Sequence, residues 1–346
     1  MIRQAGDLHD ARRRESPTIT ELSHGATGSP AGRVGRTVAG IPPAARVPSV
    51  ITVAIPYYRN RVFVRRAVAS VLAQTDPRWQ LVVSDGSGGP DADVRDFVQR
   101  LADPRVRYLP SDRRLDMPAN WNRCLDAATT DLVALLHDDD ELLPGYAAGM
   151  LAAAARRPAA ALLFCEARVI GPDGRPRFSV PDFVKRFYRP RRGREVVLRG
   201  EAGLRAVMRG NFIMCPTVCY RTSRLAGRRF PAGWHQALDL AFTSGVLLDG
   251  GSMVGLPDVL YAYRRHAGNA TAVQTANLLR FREEVAVFDH VARRARGVGW
   301  GGAAAVAAGK GVIQLNLGYC AAADLARGHW AAARRKLRLL WDVFAG

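Results

Sequence analysis

Four places in the chain set acids or an imidazole beside apolar segments, where ionisable groups are costly unless they have work to do. The most conspicuous is Asp138-Asp139-Asp140, directly after the apolar run ending at Leu136 and ahead of Leu142 and Pro144. Adjacent carboxylates repel and raise one another's pKa, and a bound hard cation such as Mg²⁺ or Mn²⁺ removes that cost. The plainer alternative is an acidic loop capping the next helix. Asp85 closes another apolar run, just before Gly86-Ser87-Gly88-Gly89, where backbone can approach a ligand closely. A carboxylate there can accept a donor of a nucleotide base, or simply close an Asp-Gly turn. Asp239 is the only acid of Trp234 to Phe242, set between apolar neighbours, and suits a general base or an exposed helix carboxylate. His266 ends Tyr263-Arg264-Arg265-His266. Its neutral imidazole can ligate a metal, and Arg264 and Arg265 can bind diphosphate oxygens, unless the histidine is structural.

These residues need a frame, and the hydrophobic pattern supplies one. Val50 to Ile55 reads as a buried parallel strand ending at Pro56, Val62 to Gln74 as a helix, and Trp79 to Val83 as a second strand. Asp93 to Leu101 is a helix, Val106 to Leu109 a strand, Pro118 to Ala128 a helix and Leu132 to Leu136 a strand. Repeated βαβ units imply an α/β fold with a mostly parallel sheet covered on both faces, with ligands at the carboxyl ends of the strands. Asp85 and the Asp138 cluster fall at two such ends. Further along, Leu162 to Arg168 and Arg175 to Val180 read as strands about a Gly-Pro-Asp-Gly turn, and Pro181 to Arg199 as a basic, aromatic, unpatterned insertion. Thr217 to Tyr220 is a strand, Gln236 to Leu248 a helix, Val259 to Tyr263 a strand, and the rest helical.

Taken in order, these motifs resemble inverting family 2 glycosyltransferases of the GT-A fold. The series runs Ile55-Pro56-Tyr57-Tyr58-Arg59-Asn60, Ser70-Val71-Leu72-Ala73-Gln74-Thr75, Asp85-Gly86-Ser87, Asn122-Arg123-Cys124, Asp138-Asp139-Asp140, Leu238-Asp239 and Tyr263 to His266. The resemblance covers Val50 to Thr271 and implies a nucleotide-diphospho-sugar donor, a divalent cation (Mn²⁺ or Mg²⁺) and a glycan, lipid-linked or small-molecule acceptor. It further implies that Pro56, Tyr58, Asp85, Arg123 and Asp138 contact the donor. Asp139 and His266 would hold the metal, Arg264 and Arg265 the diphosphate, and Asp239 would be the base. Ser84, His137 and Leu238 stand where many members carry further acids. A nucleotidyltransferase would show a glycine-rich loop after the first strand, where Tyr57 to Asn60 has none. A non-catalytic basic protein would not need three polar clusters at strand ends.

The 346 residues allow one large α/β domain with an appendage. Residues 1–48 lack apolar periodicity and read as disordered, 49–277 as the transferase domain (halves 49–144 and 145–277), and 278–346 as a helical region. The net charge of +19 comes almost wholly from arginine, because Lys185, Lys310 and Lys336 are the only lysines. That balance suits coding bias or peripheral contact with an anionic membrane, and no nucleic-acid partner is expected. Five unpatterned cysteines and the lack of a signal-peptide pattern lead us to expect a cytoplasmic protein, peripheral at the inner membrane face.

Overall fold

The fold is built outward from Ile51–Tyr57 (β1), every residue of which is buried. The computed structural model describes residues 50–345 apart from 191, 192, 267 and 269, so the expected disorder of residues 1–48 lies outside the described residues. Arg61–Leu72 (α1) follows, capped by Asn60, whose side chain accepts from Phe63 N. Trp79–Asp85 (β2) pairs in parallel with β1, in a register that sets Tyr57 against Asp85. Ala92–Arg100 (α2) starts on the Asp91 cap, and Val106–Leu109 (β3) adds in parallel to β2. Met117–Ala127 (α3) starts on the Asp116 cap with Pro118 in its first turn, where a missing N–H costs nothing. Leu132–Leu135 (β4) pairs in parallel with the other side of β1, from Ile51↔Leu132 to Ala54↔Leu135. The three strands therefore end together, and Tyr58, Asp85 and Asp138 leave the sheet at one edge.

The second half adds Glu141–Leu142 (β5), Tyr146–Arg156 (α4) and Leu162–Ile170 (β6). Residues 175–180 are not a strand: one bridge, Ile170↔Pro176, is all they form, and Pro176 has no N–H to carry a ladder further. Nor is the stretch after them unpatterned. It holds the helix Val180–Tyr188 (α5) and the strand Val196–Arg199 (β7), followed by Gly200–Gly210 (α6). Cys219–Arg221 (β8), Leu238–Leu248 (α7) and Ser252–Arg264 (β9) complete the sheet region. The nine-stranded sheet runs β3-β2-β1-β4-β8-β6-β9-β5, with β7 on β9. It is parallel from β3 to β4 and mixed beyond, because β8 is antiparallel to both neighbours.

Side-chain alternation divides the core between the two faces. Ile51, Val53 and Ile55 join the cluster that includes Val64, Val68 and Met150. Ala54, Val133 and Leu135 point to the other, with Trp121, Val207, Phe242 and Phe288. That second cluster depends on the helical region of Ala270–Ala276 (α8), Leu279–Gly297 (α9), Gly301–Gly309 (α10), Gly311–Ala326 (α11) and Trp330–Ala345 (α12). The Ala- and Gly-rich stretch 301–326 is broken at Lys310, which is left-handed at φ 50°. Among the described residues, no helix is long and apolar enough to cross a membrane.

Candidate active site

A cleft of about 1550 Å³ opens at the strand ends. Its wall carries Pro56 and Tyr58 from the end of β1, Asp138 and Asp139 from the end of β4, Arg265 and His266 after β9, and Asp239 from α7. Seven of the expected site residues are thus brought to one cavity. The Tyr58 amide donates to Asp138 Oδ2 at 3.0 Å, tying the first and fourth strand ends together. His266 Nε2 lies 3.0 Å from Asp139 Oδ2. Burial, then the neighbouring Asp139 charge, push Asp138 up to about 7.

The third acid of the cluster plays another part. Asp140 is fully buried, accepting from Arg264 N at 2.7 Å and the Tyr261 hydroxyl at 3.0 Å, and burial raises its pKa well above the usual range. His137, Asp139 and Asp140 place donor atoms within 4.8 Å of one another, a spacing compatible with a cation. Asp140 has both oxygens engaged behind the wall, however, whereas Asp139 and His266 meet on it. A carboxylate and an imidazole in contact beside a second acid form a donor set that suits Mn²⁺ or Mg²⁺. His137 packs on the Trp121 ring at 5.2 Å, and its buried Nε2 has no hydrogen-bond partner among the described residues.

Three expected contacts stand off the cleft lining. Asp85 is fully buried, and its carboxylate is taken by Ser87 N and Oγ, Asp91 N and the Tyr108 hydroxyl. In this arrangement it shapes the Gly-rich loop. Arg123 donates to the carbonyls of Asp85, Leu109 and Pro110, tying down the ends of β2 and β3. Arg264 is fully buried and spans the Asp139 and Gly171 carbonyls (2.8 and 2.9 Å) and Glu141. It is a brace beneath the acids. Arg264→Leu should cost about 3 kcal/mol in a denaturant titration, since it leaves the Asp139 and Gly171 carbonyls and the half-buried Glu141 carboxylate without their donor. A loss within 0.5 kcal/mol, the usual range of a surface change, would remove that role.

Asp239 sits in the first turn of α7, and burial pushes it up to about 6. Lys185, also on the cleft wall, opposes part of that rise. The N-terminal approach to α7 is fixed from the helical region: Glu283 of α9 accepts from the amides of His235, Gln236 and Ala237 at 2.7–3.0 Å. Sequence reading passed over both Lys185 and Glu283. Nothing local marks Glu283, while Lys185 carried one weak signal, being one of only three lysines.

A mixed α/β sheet, an acidic wall at its carboxyl edge and a separate half-buried carboxylate meet at this cleft. Residues 52–215 match the family model described as Glycosyl transferase family 2, and the chain carries a family 2 glycosyltransferase domain. An uncharacterized protein of Mycobacterium tuberculosis is 33% identical over 96 residues, covering 28% of this chain and 30% of that protein. The GalNAc(5)-diNAcBac-PP-undecaprenol beta-1,3-glucosyltransferase of Campylobacter jejuni is 32% identical over 98 residues, 28% of this chain and 31% of that enzyme. The alignments thus span under a third of either relative's length. A structure of S. aureus TarS 1–349 in complex with UDP-GlcNAc superposes with a TM-score of 0.55 at 16% identity, covering 71% of this chain and 66% of that one. That likeness shows the GT-A fold.

Proposed function

We propose that the chain transfers a sugar from a nucleotide-diphosphate donor to an acceptor hydroxyl, with inversion, by a single displacement. The observation that carries this reading is one cleft holding Asp138, Asp139 and His266 together with Asp239, whose carboxyl is raised to about 6. A carboxylate near pKa 6 is ionised at neutral pH yet basic enough to accept a proton as it is released. Asp239 removes the proton of the acceptor hydroxyl while that oxygen attacks the anomeric carbon. The bond from that carbon to the diphosphate breaks on the opposite face, and the diphosphate leaves with the electron pair. Attack and departure on opposite faces invert the centre, and the transition state has oxocarbenium character. Arg265 adds fixed positive charge to the wall. A divalent cation held by Asp139 and His266 would supply charge neutralisation for the departing diphosphate.

Family membership and the UDP-GlcNAc complex of TarS support a nucleotide-sugar donor. Thermal shift with UDP, GDP and dTDP, each with and without Mn²⁺, tests the reading. One nucleoside diphosphate should raise Tm by several degrees, and only with the metal present. At 100 times Kd, ligand binding adds about 2.7 kcal/mol. No response to any nucleotide, or an equal response without metal, would overturn the donor and metal assignments.

A further inference from the structure

Helix α5 is built inside out. Val180, Phe183, Val184 and Phe187 lie at i, i+3, i+4 and i+7, the stripe an amphipathic helix ordinarily turns to the core. Here they are 43, 42, 42 and 62% exposed, and Phe178, just ahead of the helix, is 72% exposed. The rings touch in series, Phe178 to Phe183 at 5.7 Å and Phe183 to Phe187 at 5.4 Å, so the apolar surface is continuous. Contiguous exposed apolar surface of this kind marks an interaction site.

The outward pose is anchored. Arg189, directly after the helix, is buried, pairs with Glu166 and donates to the carbonyls of Gly255 and Leu256 at 3.1 and 2.8 Å. Tyr188 packs so closely on Gly210 of α6 that no Cβ fits there. From the same helix, Lys185 reaches the cleft wall that holds Asp239. One short element thus links the reacting end of the cleft to an exposed aromatic face.

We propose that α5 docks the mouth of the cleft on an anionic lipid surface. Around the rings Arg175, Arg177 and Arg186 are exposed, so aromatic rings and cations occur together on this face. A lipid interface offers both complements, hydrocarbon for the phenylalanines and headgroup phosphate for Arg175, Arg177 and Arg186. A second copy of the chain would set arginines against arginines. Residues 1–48 have no apolar periodicity to match the stripe. Resting on the glycosyl-transfer reading, this placement makes a lipid-borne molecule the acceptor class within reach of Asp239.

Flotation of the full chain with vesicles tests the docking, using phosphatidylcholine alone or with about 30% phosphatidylglycerol. The wild type should float with the anionic vesicles at low salt and be largely released at about 0.5 M salt. Phe183→Ser/Phe187→Ser should lower the partition at least about tenfold, because the inserted rings are the apolar contribution. The control is α12, whose exposed Trp341 and Phe344 form a separate apolar stripe; Trp341→Ser/Phe344→Ser should float as the wild type does. The proposal is overturned if the wild type stays with the unbound fraction, or if the α5 variant floats undiminished. It is equally overturned if gel filtration shows a dimer that the α5 variant splits. Nucleotide thermal shift on the same samples separates the two readings: flotation without any nucleotide response sinks the transferase reading and leaves the docking intact.

Discussion

Asp239→Asn should lower turnover by about 10²-fold or more, the contribution of a positioned base, and leave donor affinity nearly unchanged. Asn keeps the size and shape of the side chain but cannot hold the proton. The proposed donor-side contacts lie on the Asp138, Asp139 and His266 wall, which the change does not touch. Two further readouts follow from the raised pKa. The wild-type rate should fall on the acid side with a midpoint near 6, where Asp239 takes up its proton, and the variant should lack that limb. Stability moves the opposite way. A carboxyl raised in the folded state favours folding fully below its ordinary value of 3.8, and that contribution is lost as pH rises through about 6. The Asn variant carries no such loss, so its Tm should gain on that of the wild type across this window. Asp258→Asn is the control, because Asp258 is exposed on β9 and off the cleft. Asp249 is no candidate either, since it pairs with Arg228 and Arg294 beyond the end of α7. A near-normal rate for Asp239→Asn would move the base elsewhere.

The first half was legible because its physics is local. A β-branched run flanked by turn residues makes β1, a 3.6-residue apolar stripe makes α1, and parallel pairing on both sides of β1 brings Tyr58, Asp85 and Asp138 to one edge. The roles of single side chains were less legible, because they depend on who else arrives. Asp85 sits where its motif puts it, yet Tyr108 from β3 and the Asp91 amide claim its oxygens. Arg264 looked like a phosphate ligand in sequence, and burial beneath Asp140 and Glu141 makes it a brace. The stretch 175–188 misled for a different reason. Arg175 to Val180 alternates as a strand does, but Pro176 cannot carry a ladder. The stripe in α5 has the spacing of a core-facing helix, yet its apolar face points outward, which spacing alone does not reveal. The grip of Glu283 on the approach to α7 joins residues about 47 apart and leaves no trace in either segment.

Asp139→Ala should abolish transfer and reduce donor binding to the level of the wild type without metal. Asp139 is the acid that meets His266 on the cleft wall, at 3.0 Å from Oδ2 to Nε2. Its backbone carbonyl, not its carboxylate, takes the Arg264 Nε donor, so alanine removes the carboxylate that meets His266 and keeps that brace. Stability separates this role from a structural one. The Asp139 charge helps to raise both Asp138 and Asp140, after burial, so deleting it relieves repulsion between buried acids. A residue present for packing or capping lowers Tm when removed. Asp139 should leave Tm level or raise it in metal-free buffer, while erasing the stabilisation that Mn²⁺ with a nucleoside diphosphate gives the wild type. Isothermal titration of the donor nucleotide, with and without Mn²⁺, measures the loss directly. If donor affinity in the wild type ignores the metal, or the variant still responds to it, the cation is not held here. The three acids would then be no more than a strand-end loop braced by Arg264.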